Sequence, residues 1–286
     1  MKIKIIADSS GDIASLNGFN FQSVPLTIFT DERSYADDKD IDLDDMLSYL
    51  ANYNGRSFTA CPNTNDWLEA YEDAEELYVV TITSGLSGTY NSAKAAADIY
   101  TEKHPHAKIH VFDSLSTGPE MRLMVDKIAE LVRENKPFTE IVDAVTEYQT
   151  HTRLFVMLES FNNLANNGRV SKTVAHIAGV LGIRIMATAS LEGTIEINAK
   201  CHGEKGALKK FLSCMKEAGY QGGKVYISHC RNNDFATKLK TAILTAFPEA
   251  DVVVYEMGGL CSYYAEKGGI ILGCECTKVY GTKQPT

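Results

Sequence analysis

A short run of serine, threonine and glycine has the residue types of an anion-binding loop. It reads Ser84-Gly85-Leu86-Ser87-Gly88-Thr89-Tyr90 and leads from a predicted strand into an alanine-rich predicted helix. Such a turn directs free backbone N–H groups and hydroxyls at whatever lies over the start of the helix. A carboxylate and a phosphate both fit, with Ser84, Ser87 and Gly88 as candidate contacts. The alternative is that Ser87 or Thr89 only caps the helix.

The same serine also permits a catalytic interpretation. In a nucleophile elbow the serine lies in a G-x-S-x-G turn, whereas here Gly88 follows Ser87 directly and Thr89 occupies the position of the last glycine. His229 and Asp8, each at the end of a predicted strand, have the residue types of a general base and its orienting acid. The sequence sets no distance among these side chains. A serine-dependent acyl hydrolase or transferase is therefore the second hypothesis, and a histidine bonded to backbone is the simpler role for His229.

Two further polar residues and three aliphatic stretches are candidates for the rest of a binding site. Thr59 is predicted in a loop before a helix that starts near Asn63, and Arg169 lies in a turn where it faces either solvent or a ligand. Three aliphatic segments are either ordinary core or the walls of a cavity: VPLTIF at 24–29, LFVML at 154–158 and GVLGIRIM at 179–186.

The strands and helices that must position these residues alternate along the first half of the chain. IKIIAD at the start, LYVVTIT at 77–83 and KIHVFDS at 108–114 are typical of buried strands that end in polar loops. Helix-like segments separate or follow them at 43–53, 64–76, 89–103, 119–134 and 138–150. This alternation predicts a mostly parallel sheet covered on both faces. Ligands gather at the carboxyl ends of such strands, where the hydroxyl-rich loops lie.

A second α/β unit is predicted after residue 153. Its strand candidates are 154–160, 183–189, 194–199, 224–230 and 251–257, with Leu191-Glu192-Gly193 as a turn, and its helix candidates are 173–182, 204–218 and 233–247. The predicted fold class is α/β with two domains, 1–153 and 154–286. No low-complexity linker marks the boundary, so we expect the two domains to pack closely.

Composition limits the classes of partner. The 286 residues are 44% hydrophobic and carry a net charge of −9, which predicts a sizeable core and argues against a nucleic-acid-binding surface. No apolar stretch approaches the ~18 residues of a membrane span, and no signal peptide is evident. We therefore expect a cytoplasmic protein with no stable membrane insertion. Seven cysteines without a CxxC pair favour reduced thiols over disulfides or a metal site.

Five short motifs occur in a characteristic order. They are Ile6-Ala7-Asp8-Ser9-Ser10, Thr59-Ala60-Cys61-Pro62, Ser84-Gly85-Leu86-Ser87-Gly88-Thr89-Tyr90, Phe112-Asp113-Ser114 and Leu164-Ala165-Asn166-Asn167-Gly168-Arg169-Val170-Ser171. Together they resemble the DegV family, the bacterial fatty-acid-binding proteins that include the lipid-carrying subunit of fatty acid kinase. The resemblance covers nearly the whole chain, and the third and fifth motifs are the most specific.

The resemblance implies a two-domain α/β protein that holds one long-chain fatty acid in a tunnel between the domains. It assigns the carboxylate to hydrogen bonds from Thr59 and Ser87, and it places Arg169 and His229 at polar family positions near that headgroup. It implies no cofactor besides the bound lipid, and a carrier instead of an enzyme. In kinase-associated members a separate ATP-using subunit phosphorylates the bound carboxylate. The expected partners are therefore a fatty acid and a fatty acid kinase subunit, not nucleic acid.

The chain departs from the family near its C-terminus. The family supports the headgroup with the histidine of a Gly-Thr-His-x-Gly-x-Gly loop, and Tyr264 occupies that position here. A phenol donates a hydrogen bond to a carboxylate but does not readily carry a positive charge near neutral pH. Burial of the acyl chain, at about 0.8 kcal/mol per methylene, would still dominate the affinity. A lipid-responsive interaction protein that needs no kinase is therefore a further alternative.

Overall fold

The structure is a computed structural model that describes residues 2–173 and 183–279. Its strands are β1 Ile3–Asp8, β2 Phe21–Val24, β3 Thr27–Thr30, β4 Ser34–Ala36, β5 Ser57–Ala60, β6 Glu76–Thr81, β7 Lys108–Asp113, β8 Thr152–Leu158, β9 Ile183–Ala189, β10 Ile195–His202, β11 Gly223–His229, β12 Ala250–Glu256 and β13 Ile270–Glu275. The helices described are α1 Leu43–Asn52, α2 Thr64–Tyr71, α3 Thr89–Lys103, α4 Gly118–Arg133, α5 Phe138–Thr150, α6 Asn162–Asn166, α7 Gly203–Glu217, α8 Asn233–Ala246 and α9 Gly259–Ala265.

The first half of the chain is built on a parallel sheet in the order β2-β1-β6-β7. Alternate residues of β1 and β6 face opposite cores, one with α4 and α5 and the other with α2 and α3. All six residues of β6 are buried, because helices cover both of its faces. The prediction of a parallel sheet wrapped on both faces is confirmed, and its strands direct their carboxyl ends to one edge.

The second half contains a six-stranded sheet in the order β10-β9-β8-β13-β11-β12. Only the β11–β12 pair is parallel in this sheet, and the other neighbours are antiparallel. One face packs on α7 and α8 through a core that includes Phe211 and Phe235. Helix α4 of the first half contacts β11 and β13, so the two halves share an interface. Of the helices in 2–173 and 183–279, none has the length and apolarity to cross a bilayer.

A small antiparallel sheet, in the order β4-β3-β5, corrects the predicted environment of Thr59. Thr59 lies in β5 opposite Ile28, so its assignment to a loop is wrong. The four residues of β5 alternate between half-buried and exposed, as in a strand with one solvated face. Phe58, on the exposed face, stacks on Phe29 at 5.4 Å between ring centroids.

The remaining expectations are met to different degrees. Helices at 89–103 and 138–150 are confirmed as predicted. The helix predicted over 64–76 ends at Tyr71, because Asp73 has a left-handed backbone with φ of 64°. The predicted helix at 173–182 falls outside the described residues from 174 onward, as does the first half of the 179–186 stretch. The domain division at residue 153 stays a prediction.

Two carboxylates of the first half hold the start of α9, which lies between β12 and β13 in the second half. Asp12 accepts a hydrogen bond from the Gly258 N–H at 2.9 Å. Asp37 accepts from the N–H of Gly259 at 2.6 Å and from that of Leu260 at 3.0 Å. A Cβ at either glycine would lie 2.9 Å from a carboxylate oxygen, so a larger residue at either position would displace that carboxylate.

Burial of these two carboxyl groups between the halves is electrostatically unfavourable. Burial, together with the charge of Asp37, raises the pKa of Asp12 to about 8, and burial raises the pKa of Asp37 itself. Asp12 Oδ2 is buried with no hydrogen-bond partner among the described residues. A carboxyl whose folded pKa lies above its unfolded value binds protons more tightly in the folded state. Its contribution to stability is therefore lost as the pH rises from about 4 towards 8.

We expect Asp12→Asn to stabilise the protein, and more so at pH 8 than at pH 5, because the amide keeps an acceptor for Gly258 and removes the buried charge. Each kcal/mol gained should raise Tm by about 2–4 °C. Thermal unfolding at the two pH values measures the effect, with the exposed Asp31→Asn as the control. A variant that melts at or below the wild-type temperature at pH 8 would contradict the proposed charge penalty.

Candidate ligand-binding site

A cavity of about 840 Å³, counting its open mouth, is lined by residues from both halves of the chain. One wall is formed by alternate residues of β8, namely Leu154, Val156 and Leu158, and Leu26 comes from the opposite half. The other aliphatic residues of the lining are Ile82, Leu86, Leu164, Ile195, Leu260 and Ile271. The segments at 24–29 and 154–158 thus contribute walls. In the third segment, the described residues 183–186 do not line the cavity.

Four of the predicted site residues line this cavity and lie near one another: Thr59, Ser87, Arg169 and Tyr264. Thr59 Oγ1 and the Tyr264 hydroxyl are hydrogen-bonded at 2.7 Å. The Arg169 guanidinium carbon lies 5.7 Å from the centroid of the Tyr264 ring, which places a positive charge beside the hydroxyls. Burial raises the pKa of Tyr264, so its hydroxyl keeps its proton at neutral pH. We call these four residues the polar end.

Backbone carbonyls hold the Arg169 side chain in place. Its Nε donates to the Leu86 carbonyl at 3.3 Å and its Nη1 donates to the Asn167 carbonyl at 2.6 Å. The first bond connects the second half of the chain to the loop at 82–88, between β6 and α3 in the first half, which we call the Ser87 loop. The guanidinium is therefore a fixed part of the polar end and not a freely solvated side chain.

The Ser87 loop follows β6 and leads into α3. The N–H groups of Leu86 and Ser87 both donate to the Thr83 carbonyl, at 3.3 and 3.2 Å. The Ser87 hydroxyl is hydrogen-bonded to the Thr89 hydroxyl at 2.8 Å, and the Thr89 N–H reaches Ser87 Oγ only at 3.4 Å. Gly88, the N-cap residue of α3, has no side chain to cap the helix. The Ser87 oxygen therefore satisfies one N–H at the start of α3, as a capping side chain does, and Ser87 lines the cavity as well.

Three predicted site residues lie outside the cavity lining. Ser84 and Gly88 lie in the Ser87 loop and are exposed. A Cβ at Gly88 would lie 3.4 Å from Cys61 Sγ. His229 borders a separate depression with Glu256, where burial lowers its pKa. The geometry does not bring His229 to the polar end, because His229 lines that depression and not the cavity.

Several polar lining residues escaped sequence reasoning. They are Thr83, Ser116, Thr117, Thr188 and Thr194. The rule that ligands gather at strand carboxyl ends points to Ser116 and Thr117, which follow β7 as Ser87 follows β6. Thr188 and Thr194 flank the β9–β10 turn, and their place in the cavity depends on tertiary packing that no local pattern reveals.

The tip of the β9–β10 hairpin closes one side of the cavity. The predicted turn at residues 191–193 is confirmed, with the Gly193 N–H donating to the Ser190 carbonyl at 3.0 Å. A Cβ on Gly193 would lie 1.9 Å from Thr83 Oγ1, and one on Gly85 would lie 2.6 Å from the Glu192 carbonyl oxygen. The backbone of the hairpin therefore packs directly on the Ser87 loop.

We expect Gly193→Ala to destabilise the protein by about 1–3 kcal/mol, because φ is +72° and the new methyl would collide with Thr83. Gly206→Ala is the matched control: Gly206 lies in α7 with open space around its Cβ position, and alanine there should stabilise by up to ~1 kcal/mol. Urea unfolding of both variants gives the comparison. Equal effects of the two substitutions would show that the hairpin is not closely packed.

The fold and the cavity define an α/β protein with two large sheets and a mostly apolar cavity that contains a cluster of polar side chains. The sequence model of the DegV family, described as uncharacterised protein, matches residues 2–273. The chain belongs to the DegV family, and the family predicted from the five motifs is confirmed.

Solved structures of similar proteins contain fatty acids. A DegV family protein from Eubacterium eligens loaded with heptadecanoic acid is 50% identical, with a TM-score of 0.95 over 96% of this chain and 100% of that one. The Fatty Acid Kinase (Fak) B3 protein from Streptococcus pneumoniae loaded with linoleic acid is 40% identical, with a TM-score of 0.95 over 97% and 100%. A DegV domain-containing protein from the same species is 40% identical over 279 residues, 96% of this chain and 99% of that protein.

Proposed function

We propose that this protein binds one long-chain fatty acid, with the acyl chain in the cavity and the carboxylate at the polar end. The observation that carries the proposal is a mostly aliphatic cavity lining that also contains the cluster of Thr59, Ser87, Arg169 and Tyr264, which matches the tail and the headgroup of a fatty acid. The heptadecanoic and linoleic acids in the two similar structures support the same ligand class. A sixteen-carbon chain would contribute roughly 10 kcal/mol before ordering costs.

The hydroxyls of the site supply a matching number of donors for a carboxylate. Thr59 and Tyr264 form one hydrogen-bonded pair, and Ser87 and Thr89 form another. Each pair has two hydroxyl protons and uses one of them internally, which leaves one proton to donate outward. In the second pair this proton faces the cavity when Thr89 donates to Ser87, because Ser87 lines the cavity and Thr89 does not. A carboxylate has two oxygens, and one can accept from each pair. Arg169 adds the positive charge that favours the ionised acid.

We also propose that the protein presents the bound carboxylate to a separate ATP-using kinase subunit. The polar end lies near the surface, since Cys61, Ser84 and Gly88 around it are exposed. A second protein can therefore approach the headgroup while the acyl chain stays buried. The similarity to the Fak B3 protein supports this role. The seven cysteines are free thiols, which suits the reducing cytoplasm where we expect the carrier to act.

The geometry disfavours the alternative of a serine hydrolase. Among the described residues that line the cavity there is no histidine to act as a base for Ser87. The hydroxyl of Ser87 is bonded instead to another hydroxyl, that of Thr89. A nucleophilic serine needs an adjacent base, so we propose that the chain is a carrier and that any phosphoryl transfer is catalysed by its partner.

Denaturing extraction of the purified protein, followed by mass spectrometry, is expected to release one fatty acid per chain. Delipidated protein should take up added fatty acid to the same ratio. Ser87→Ala should weaken that binding about tenfold through the loss of a hydrogen bond to a charged group. Ser48→Ala, an exposed serine of α1, is the matched control. A ligand-free extract that also fails to take up fatty acid would remove the proposed function.

If the protein presents its lipid to a kinase, acyl phosphate should form, whereas lipid binding alone gives no such product. With a fatty acid kinase subunit, ATP and bound fatty acid, the mixture should form acyl phosphate, detected as its hydroxamate. Tyr264 stands where the family has histidine, so the Tyr264→His variant should react at least as fast as the wild type. Absence of acyl phosphate with both proteins, at full lipid occupancy, would favour the lipid-responsive interaction protein instead.

A further inference from the structure

Helix α9 carries Tyr264 to the polar end, although its chain neighbours β12 and β13 belong to the six-stranded sheet. The helix packs against α1, β3 and the turn Ser9–Gly11 of the first half, and against α6 of the second. It is thus a segment of one half inserted into the other. The position of the Tyr264 hydroxyl depends on how α9 is held there.

Two successive tyrosines of α9 meet two alternate hydroxyls of β5. The Tyr263 hydroxyl is hydrogen-bonded to Ser57 Oγ at 2.8 Å, and the Tyr264 hydroxyl to Thr59 Oγ1 at 2.7 Å. Asn167 Nδ2 also donates to the Tyr263 hydroxyl, at 3.0 Å. Because both pairs share one helix and one strand, a small rotation or shift of α9 would break both.

Asp37 holds the opposite end of the same helix. Its two oxygens accept from the N–H groups of Gly259 and Leu260, and its own N–H donates to the Leu26 carbonyl at 2.8 Å. Asp37 is buried and does not line the cavity. At a rise of about 1.5 Å per residue, the first residue of α9 lies roughly 7–8 Å from Tyr264. Leu26 also lines the cavity, but its bond to Asp37 uses the Asp37 backbone and does not depend on the side chain. The Asp37 carboxylate therefore acts on the site through α9.

We propose that Asp37 is a positioning residue for the headgroup site: its carboxylate fixes the start of α9 and thereby holds the Tyr264 hydroxyl against Thr59. This rests on the proposed function, because it takes Tyr264 as part of the carboxylate site. Asparagine at position 37 keeps the size of the side chain but replaces one acceptor by an NH2 group. That group would face a backbone N–H, so one of the two bonds is lost and the helix start shifts.

A double-mutant cycle tests the proposal. Asp37→Asn is expected to weaken fatty acid binding about tenfold in the wild-type background. In a Tyr264→Phe background the same change should cause no further loss, because the hydroxyl that it displaces is already absent. The matched control is Asp40→Asn, an exposed carboxyl three residues away, which should leave affinity unchanged in both backgrounds. Additive losses, or an unchanged affinity of Asp37→Asn, would overturn the proposal.

A second measurement needs no lipid and separates this proposal from the proposed function. With 3-fluorotyrosine at position 264, Asp37→Asn should move or broaden the fluorine resonance, whereas Asp40→Asn should not. An unmoved resonance overturns the positioning role even if fatty acid binds, and a moved one supports it even if none does. Should Asp37→Asn fail to fold, Asp37→Glu displaces the helix start while it keeps both acceptors, and the same changes are expected.

Discussion

The attachment of α9 to the first half is the interaction on which the rest of the structure depends. Carboxylates of Asp12 and Asp37 receive the N–H groups at the start of this helix. The interaction places two glycines close to the carboxylates and leaves one carboxylate oxygen buried without a partner among the described residues. It joins the two halves at fixed positions, and residues from both halves line the cavity. Apolar packing alone is non-directional and would not set this register.

Much of the fold follows from periodic patterns, and the missing parts have physical causes. Strands β1, β6 and β7 are short apolar runs with polar ends, so alternation with helices identifies a parallel sheet. Strand β13 was missed because Ile270-Ile271-Leu272 is only a short apolar run. Its neighbours in the sheet, β8 and β11, are distant from it in the sequence. Strand β5 was missed because Ser57 and Thr59 have polar side chains on its half-buried face.

The candidate site was predictable where motifs are local and unpredictable where it depends on packing. The Ser87 loop and Arg169 were found from short motifs and Tyr264 from the family position of a histidine, and the structure brings them together with Thr59. Their ligand-binding roles stay proposals. The hairpin around Gly193 contacts the Ser87 loop across more than 100 residues of chain, and no local pattern reports such a contact. His229 was chosen from its family position, whereas its side chain borders a different depression.

The cavity has walls from both halves of the chain. Binding of a ligand in it is therefore linked to the stability of the whole fold. Leu26 and Ile82 on one side and Val156 and Ile271 on the other would all contact the same occupant. A ligand in the cavity stabilises the folded chain, in which the halves are together, relative to states in which they are apart. This stabilisation grows with the free concentration of the ligand. The lifetime of the folded protein, and so its resistance to proteolysis, would then depend on the supply of its cargo.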